Sequence, residues 1–185
     1  MAKNSAEDFA IFGGTPYFDK PRHVNRPNAA PRAAFDAYFD QAWDKSWFSN
    51  DGPLLIQFEQ RLQNYLGVDH CVVTCNATLA LSLTIQTLQL TGEVIVPSYT
   101  FISTANALKM AGLTPVFCDI RAQDMTIDPV ACEALITSRS SAVIATHVWG
   151  VPCDTQALQK LCDAAGIVLM YDSAHAFGVE HRGRK

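Results

Sequence analysis

Five short apolar runs, separated by segments with helical spacing, constrain the fold of this chain most strongly. Each run is five to eight residues long, and most are rich in Val and Ile, which favour strands. The runs are HCVVTC (70–75), EVIVP (93–97), TPVFCD (114–119), SAVIATHV (141–148) and IVLMYD (167–172). Strands buried on both faces read as continuous apolar runs, and their alternation with helices is typical of βαβ units. We therefore predict an α/β fold with a mostly parallel sheet in a three-layer αβα arrangement.

Helix signals occupy the segments between these runs. Asn76 and Asp154 are suited to N-caps, and Gly166 to a helix C-terminus. Residues 33–69 show the spacing of two amphipathic helices, and residues 1–32, which contain four prolines, predict an irregular arm laid on a surface. Residues 70–185 make up the α/β domain, with predicted helices over residues 76–90, 101–111, 129–136 and 154–165.

Composition argues against several functional classes. The chain has 185 residues, a formal net charge of −4 and a pI of about 5.6, which does not fit a general nucleic-acid binder. No apolar run approaches the ~20 residues that span a bilayer. Residues 1–10 are polar and lack the apolar region of a signal peptide. We therefore expect a cytoplasmic protein that binds neither nucleic acid nor membrane.

The cysteines form no Cys-x-x-Cys pair, although the chain has six of them. We interpret them as small buried thiols in a reducing compartment. Cys71 and Cys75 share one face of the first run, but a zinc site needs two further ligands at suitable spacing. The sequence offers none, so no metal site is predicted.

The candidate ligand-binding residues are those that follow each run, because parallel α/β sheets bind ligands at the carboxyl ends of their strands. Asn76, Ala77 and Thr78 open a helix whose free N–H groups and dipole suit a phosphate. An ordinary helix cap is the alternative. Tyr99 and Phe101 follow the second run and offer rings able to stack on a planar ligand, with packing in the core as the alternative.

Asp172 ends an otherwise apolar run, so its carboxylate needs a partner. Three interpretations are open: a metal ion, a protonated pyridine nitrogen, or a cap for the following turn. His175 follows three residues later and either contacts the same ligand or has a structural role. The chain has no GxGxxG and no GxxxxGK[ST] motif, so dinucleotide and P-loop nucleotide binding lack their usual support.

A phosphate site, an aromatic ring and Asp-x-x-His after successive strands together suggest pyridoxal phosphate. Their order and the local sequence around them resemble the DegT/DnrJ/StrS family of sugar aminotransferases, within the fold type I superfamily. The resemblance is collinear over nearly the whole chain and rests on FGGTP (12–16), SNDGPLLIQFEQRLQNYLGV (49–68), CNATLALSLTI (75–85), EVIVPSYTFISTANAL (93–108), AGLTPVFCDI (111–120), THVWGVPCD (146–154) and YDSAHAFGVEHRGR (171–184).

The resemblance implies a role for each candidate residue. Ala77 and Thr78 match the phosphate-binding pair, Phe101 the residue that stacks on the cofactor ring, and Asp172 the partner of the pyridinium nitrogen. His175 matches a Gln or His near the ring and its hydroxyl group. Family members are generally homodimers with shared active sites. They transfer an amino group, commonly from glutamate, to a keto group of a nucleotide-linked sugar for polysaccharide biosynthesis.

One departure from the family pattern concerns lysine. The family's Schiff-base lysine follows the aspartate by a few dozen residues, and none of the six lysines here fits that position: Lys3, Lys20, Lys45, Lys109, Lys160 and Lys185. We therefore expect an incomplete fold type I large domain, inactive alone, without the lysine and the small C-terminal domain. Two alternatives stay open: a non-catalytic cofactor-binding or dimerisation remnant, and a relative of lysine-free pyridoxal-phosphate sugar dehydratases.

Overall fold

The computed structural model describes residues 3–23 and 27–185. The described residues of Met1–Gly52 form one compact unit, and Pro53–Lys185 form a second. In the first unit, short 3₁₀ turns precede a single α-helix, α1 (Arg32–Asp44). Residues 1–2 and 24–26 of the predicted arm lie outside the described residues. Elsewhere in the arm no helix exceeds three residues, as its prolines predict.

Helix α1 follows its aromatic periodicity. The rings of Phe35, Phe39 and Trp43 succeed one another along the helix, with ring centroids 6.3 and 5.8 Å apart. The second unit begins with helix α2 (Pro53–Leu66), which starts at a proline, a residue well suited to the first helical position. The two N-terminal helices thus fall in different compact units, while the domain boundaries at residues 32 and 69 stay a prediction.

Four parallel strands form the sheet of the second unit. They lie in the order β2–β1–β3–β4, and they are β1 (Glu93–Pro97), β2 (Thr114–Cys118), β3 (Ser140–Thr146) and β4 (Val168–Asp172). The connecting helices are α3 (Ala77–Thr87), which precedes β1, then α4 (Ile102–Met110), α5 (Pro129–Leu135) and α6 (Thr155–Ala165). These strands match four of the five predicted runs, so the mostly parallel α/β fold is confirmed.

Alternating strand residues face two separate cores, which define a front face and a back face of the sheet. On the front face, Val94, Val96 and Ile144 pack against α3 and α4 through apolar residues such as Leu81 and Leu108. On the back face, the buried residues belong to β1, β2, β3, α5, α6 and connecting segments: Ile95, Cys118, Ile127, Cys132, Val143, Ala145, Cys153, Leu158 and Cys162. Helices on both faces of the sheet give the three predicted layers.

Residues 70–75 are not a strand, and that prediction is wrong. This segment is extended but irregular, and its Val73 N–H donates to Glu59 Oε1 on α2 at 2.9 Å. A β-branched run becomes a strand only where a neighbouring backbone completes its hydrogen-bond ladder. The sheet of the described residues provides no such neighbour for this run. Position in the fold therefore overrides local propensity here.

The six cysteines are all free. Cys118, Cys132, Cys153 and Cys162 are buried, as predicted, but Cys71 is half-buried and Cys75 is exposed, so the buried-thiol interpretation is wrong for Cys75. Residues 3–23 and 27–185 contain no grouping of three or more His, Cys, Asp or Glu side chains suited to a metal ion. In the same ranges, no helix has the length and apolar character needed to cross a membrane.

Candidate functional site

The carboxyl edge of the sheet brings several polar groups close together. Thr146 and Asp172 end the neighbouring strands β3 and β4 and lie opposite each other in the register. Helices α3 and α4 pack on the front face of the sheet. Their first turns carry Ala77 and Thr104, respectively. A parallel sheet with this topology places ligand-binding groups at such an edge.

Asp172 is a buried carboxylate, 8% exposed, with only neutral hydrogen-bond donors. Thr104 Oγ1 donates to Oδ2 at 2.9 Å, and the Ala174 N–H donates to Oδ1 at 3.2 Å. The Ala174 contact is the turn cap considered from sequence. The ion pairs formed among residues 3–23 and 27–185 do not include Asp172. A buried charge without a counter-charge is costly, so this position suits a cationic ligand atom.

A cavity of about 300 Å³ adjoins this carboxylate. It is lined by β4, the turn after it and the first two turns of α3, through Ala77, Ala80, Leu81, Thr84, Met170, Tyr171, Asp172, Ser173 and Ala174. Ala77 and Asp172, which the sequence places almost a hundred residues apart, thus share one cavity. None of the residues that line it is a lysine.

The N-terminus of α3 has the properties of an anion site. The Asn76 side chain caps the helix by accepting from the Leu79 N–H at 2.9 Å. The N–H groups of Ala77 and Thr78 donate to no residue that the structure describes. No acidic residue occupies the first turn of this eleven-residue helix. Free amides and the positive end of the helix dipole therefore remain available to a phosphate.

Phe101 lies immediately before α4, and its side chain is 65% exposed. Its interpretation as a core residue is therefore wrong. Tyr99 is less exposed, and its hydroxyl oxygen accepts a hydrogen bond from Trp149 Nε1 at 3.0 Å. Of the two aromatic residues considered, Phe101 is the one whose ring stands clear of neighbouring side chains and is available to a planar ligand.

His175 does not line the cavity shared by Ala77 and Asp172. Its ring stacks on Trp149 with centroids 5.1 Å apart, and its Nδ1 accepts from the Trp149 N–H at 3.3 Å. Trp149 has a φ of 53°, a left-handed conformation that is uncommon for a bulky residue. The sequence analysis assigns Trp149 no role. Its contacts with Tyr99 and His175 link three segments of the edge.

His147 belongs to the back face. Its ring stacks on Tyr171 at 4.8 Å between centroids, and its Nδ1 accepts from the Cys153 N–H at 3.1 Å. Burial lowers the pKa of His147 below its usual value. Burial also raises the pKa of Cys153 to about 11 and the pKa of Tyr171 to about 12, so all three groups are neutral at pH 7.

The parallel sheet, its two helix layers and the polar groups at its carboxyl edge define an α/β protein with the aminotransferase fold. The model of the DegT/DnrJ/EryC1/StrS aminotransferase family matches residues 31–185, and the chain belongs to this family. The expected membership is thereby confirmed. Aminotransferases of this family depend on pyridoxal phosphate.

Similar proteins include sugar aminotransferases of known activity. The chain is 40% identical to a dTDP-4-amino-4,6-dideoxy-D-glucose transaminase of Escherichia coli over 90% of its own length. It is 34% identical to the GDP-perosamine synthase of Vibrio cholerae over 74% of its length. The crystal structure of DesI, determined with its TDP-sugar product, matches 97% of the chain with a TM-score of 0.88 and 46% identity.

These matches cover only part of each relative. The chain spans 45% of the E. coli transaminase, 38% of the V. cholerae synthase and 46% of the DesI chain. It therefore corresponds to less than half the length of the relatives it matches.

Proposed function

We propose that this chain forms the cofactor-binding part of an aminotransferase that transfers an amino group, with glutamate as donor, to a keto group of a nucleotide-linked sugar. The observation that carries the proposal is the cavity shared by Ala77 and Asp172, with free amides on one side and a carboxylate lacking a counter-charge on the other. Pyridoxal phosphate presents a phosphate and a basic ring nitrogen, which match these two features.

Each residue contributes one interaction to this binding mode. The N–H groups of Ala77 and Thr78 bind the phosphate at the α3 N-terminus. The Asp172 carboxylate holds a proton on the pyridine nitrogen, and the Phe101 ring covers one face of the pyridine. His175 lies outside the lining of the cavity, and its assignment to the ring hydroxyl rests only on the analogy with the family. When bound, pyridoxal phosphate withdraws electrons from a carbon next to the substrate nitrogen, which makes amino transfer feasible.

The lysines of this chain do not supply the Schiff-base nucleophile in our proposal. None of them lines the cavity, and two have other partners: Lys3 Nζ donates to the Thr15 carbonyl at 2.9 Å, and Lys185 Nζ lies 3.7 Å from the centre of the Tyr65 ring. This observation favours a second candidate function for the chain alone, namely a non-catalytic module that binds the cofactor. The cytoplasmic location and the homodimer of the whole enzyme are also proposals, drawn from the resemblance.

Titration of the chain with pyridoxal phosphate, followed by absorbance, tests the binding mode. We expect Asp172→Asn to weaken binding roughly 10- to 100-fold, because a hydrogen bond to a charged group contributes about 1.5–3 kcal/mol. Asp163→Asn is the matched control, since Asp163 is an exposed residue of α6, and it is expected to leave the affinity unchanged. Equal affinities for the wild type and Asp172→Asn would remove Asp172 from the site.

Borohydride reduction tests the proposal about lysine. After mixing with pyridoxal phosphate and sodium borohydride, we expect mass spectrometry to show only scattered, substoichiometric adducts on exposed lysines. The same chain is expected to show no transaminase turnover. A stoichiometric adduct on one of the six lysines would identify that residue as the nucleophile and overturn the proposal.

A further inference from the structure

We propose that Thr104 is a positioning residue that fixes the Asp172 carboxylate. Thr104 is itself held by a chain of hydrogen-bonded hydroxyl groups that runs from Thr146 through Thr100 to Thr104, which we call the relay. This inference rests on the proposed function insofar as it concerns the carboxylate assigned to the cofactor. The relay itself is a property of the chain without any ligand.

The relay joins three segments that are far apart in sequence, namely residues 100–104, the end of β3 and the end of β4. Thr146 Oγ1 at the end of β3 lies 3.0 Å from Thr100 Oγ1, which lies 2.9 Å from Thr104 Oγ1 on α4. Thr104 Oγ1 lies 2.9 Å from Asp172 Oδ2 at the end of β4. Thr104 is fully buried, Thr146 is 6% exposed and Thr100 is half-buried. Water therefore has little access to most of this chain of contacts.

The direction of each hydrogen bond follows from proton counting. An ionised carboxylate only accepts, whereas a threonine hydroxyl donates one proton and accepts through its oxygen. The Thr104 hydroxyl donates its one proton to Asp172, so its oxygen must accept a hydrogen bond from Thr100. Because the Thr100 hydroxyl donates its one proton to Thr104, its oxygen accepts a hydrogen bond from Thr146. All three O–H dipoles are thereby ordered toward Asp172 Oδ2.

This arrangement holds the carboxylate without neutralising it. Oδ2 receives the relay, Oδ1 receives the Ala174 N–H, and rotation of the carboxylate would break both bonds. Each oxygen keeps the capacity to accept a second donor. A lysine or arginine in the place of Thr104 would compete with a cationic ligand atom, whereas a neutral hydroxyl leaves the negative charge to that ligand. Hydrogen bonds in such a chain also polarise and strengthen one another.

A purely structural role for Thr104 is the rival explanation, since the same bond ties α4 to β4. The two explanations differ in what they predict for the cofactor. A structural tie affects the unfolding free energy alone, whereas a positioning residue also affects the protonation of a ring nitrogen that contacts Asp172. The conservative variant Thr104→Ser keeps the hydroxyl, and Thr104→Val removes it with little change of shape.

The experiment uses the 185-residue chain and two NMR readouts. The first is the ¹³Cγ signal of Asp172 without ligand. We expect Thr104→Val to shift this signal clearly, Thr100→Val to shift it less and Thr104→Ser to leave it close to the wild type. Thr87→Val is the matched control, because Thr87 is an exposed residue on α3 whose hydroxyl donates to the Leu83 carbonyl. It is expected to shift nothing.

The second readout is pyridoxal phosphate labelled with ¹⁵N in its ring. We expect Thr104→Val to weaken binding roughly tenfold and to move the ring signal toward the unprotonated form, with recovery in Thr104→Ser. An unchanged Asp172 ¹³Cγ signal, or a ring signal altered by Asp172→Asn but not by Thr104→Val, would overturn the relay. If the wild type binds no pyridoxal phosphate, the proposed function fails, while the ¹³Cγ readout still decides the relay. Should Thr104→Val not fold, Thr100→Val decides it instead, because Thr100 is only half-buried.

Discussion

The front and back faces of the sheet treat their ionisable groups in opposite ways. On the back face, burial lowers the pKa of His147 and raises the pKa values of Cys153 and Tyr171, which moves all three groups further from ionisation at pH 7. On the front face, Asp172 is also buried, and it receives hydrogen bonds from Thr104 and Ala174. The back face thus buries groups that are neutral at pH 7, whereas the front face surrounds a buried carboxyl group with oriented hydrogen-bond donors.

Substitution of one N-cap on each face gives the strongest test of this difference between the two faces. Asn76 caps α3, which begins at the front-face cavity, and Asp154 caps α6 on the back face, with the side chains accepting from Leu79 and Ala157 at 2.9 and 3.1 Å. We expect Asn76→Ala and Asp154→Ala each to lower the free energy of unfolding by about 1 kcal/mol, measured by urea denaturation. Only Asn76→Ala should also weaken the binding of pyridoxal phosphate, because it loosens the helix N-terminus that binds the phosphate.

Equal loss of cofactor affinity in the two cap variants would contradict this account. Such a result would mean that binding follows global stability and not the geometry of the α3 N-terminus. Because both substitutions remove one cap of similar strength, each serves as the control for the other.

A smaller effect concerns the pH dependence of stability on the back face. The folded state lowers the pKa of His147, so the unfolded state binds a proton more readily. The stability that neutral His147 contributes is present above its unfolded pKa of about 6.5 and is lost as the pH falls toward the folded value. We expect His147→Gln to flatten the dependence of the unfolding free energy on pH below about 6.5, measured by urea denaturation at several pH values.

His70→Gln provides the control for this measurement, because His70 is an exposed residue outside the two cores. It is expected to leave the slope as in the wild type. If His147→Gln shows the same pH dependence of the unfolding free energy as the wild type, the burial of His147 does not affect folding. His147 would then no longer support the contrast between the two faces.

The sequence was sufficient to predict most of the fold. The four strands and the caps at Asn76 and Asp154 followed from local patterns, since apolar β-branched runs and capping side chains act within a few residues. The run at residues 70–75 failed because a strand depends on a partner that its own residues do not encode. The exposure of Phe101 likewise depends on how α4 packs, so the sequence left core packing open as an alternative.

The candidate site was predictable only in part. Asp172 was predictable because it ends a strand, where parallel sheets place their ligands. Ala77 and Thr78 were predictable because they open a helix after an apolar run, although that run is not a strand. The relay was not found, because Thr104 and Asp172 are separated by 68 residues and their contact exists only after folding. A hydroxyl on an otherwise apolar helix face, as at Thr104, is the one signal in the sequence that pointed toward it. Trp149 offered no comparable signal beyond its position after β3.

A crystal structure of the chain with pyridoxal phosphate would test the central claim most directly. We predict the phosphate on the Ala77 and Thr78 amides, the ring nitrogen at hydrogen-bond distance from the Asp172 carboxylate, and the Phe101 ring against the pyridine. Cofactor bound on the back face, or with its ring nitrogen away from Asp172, would contradict the account.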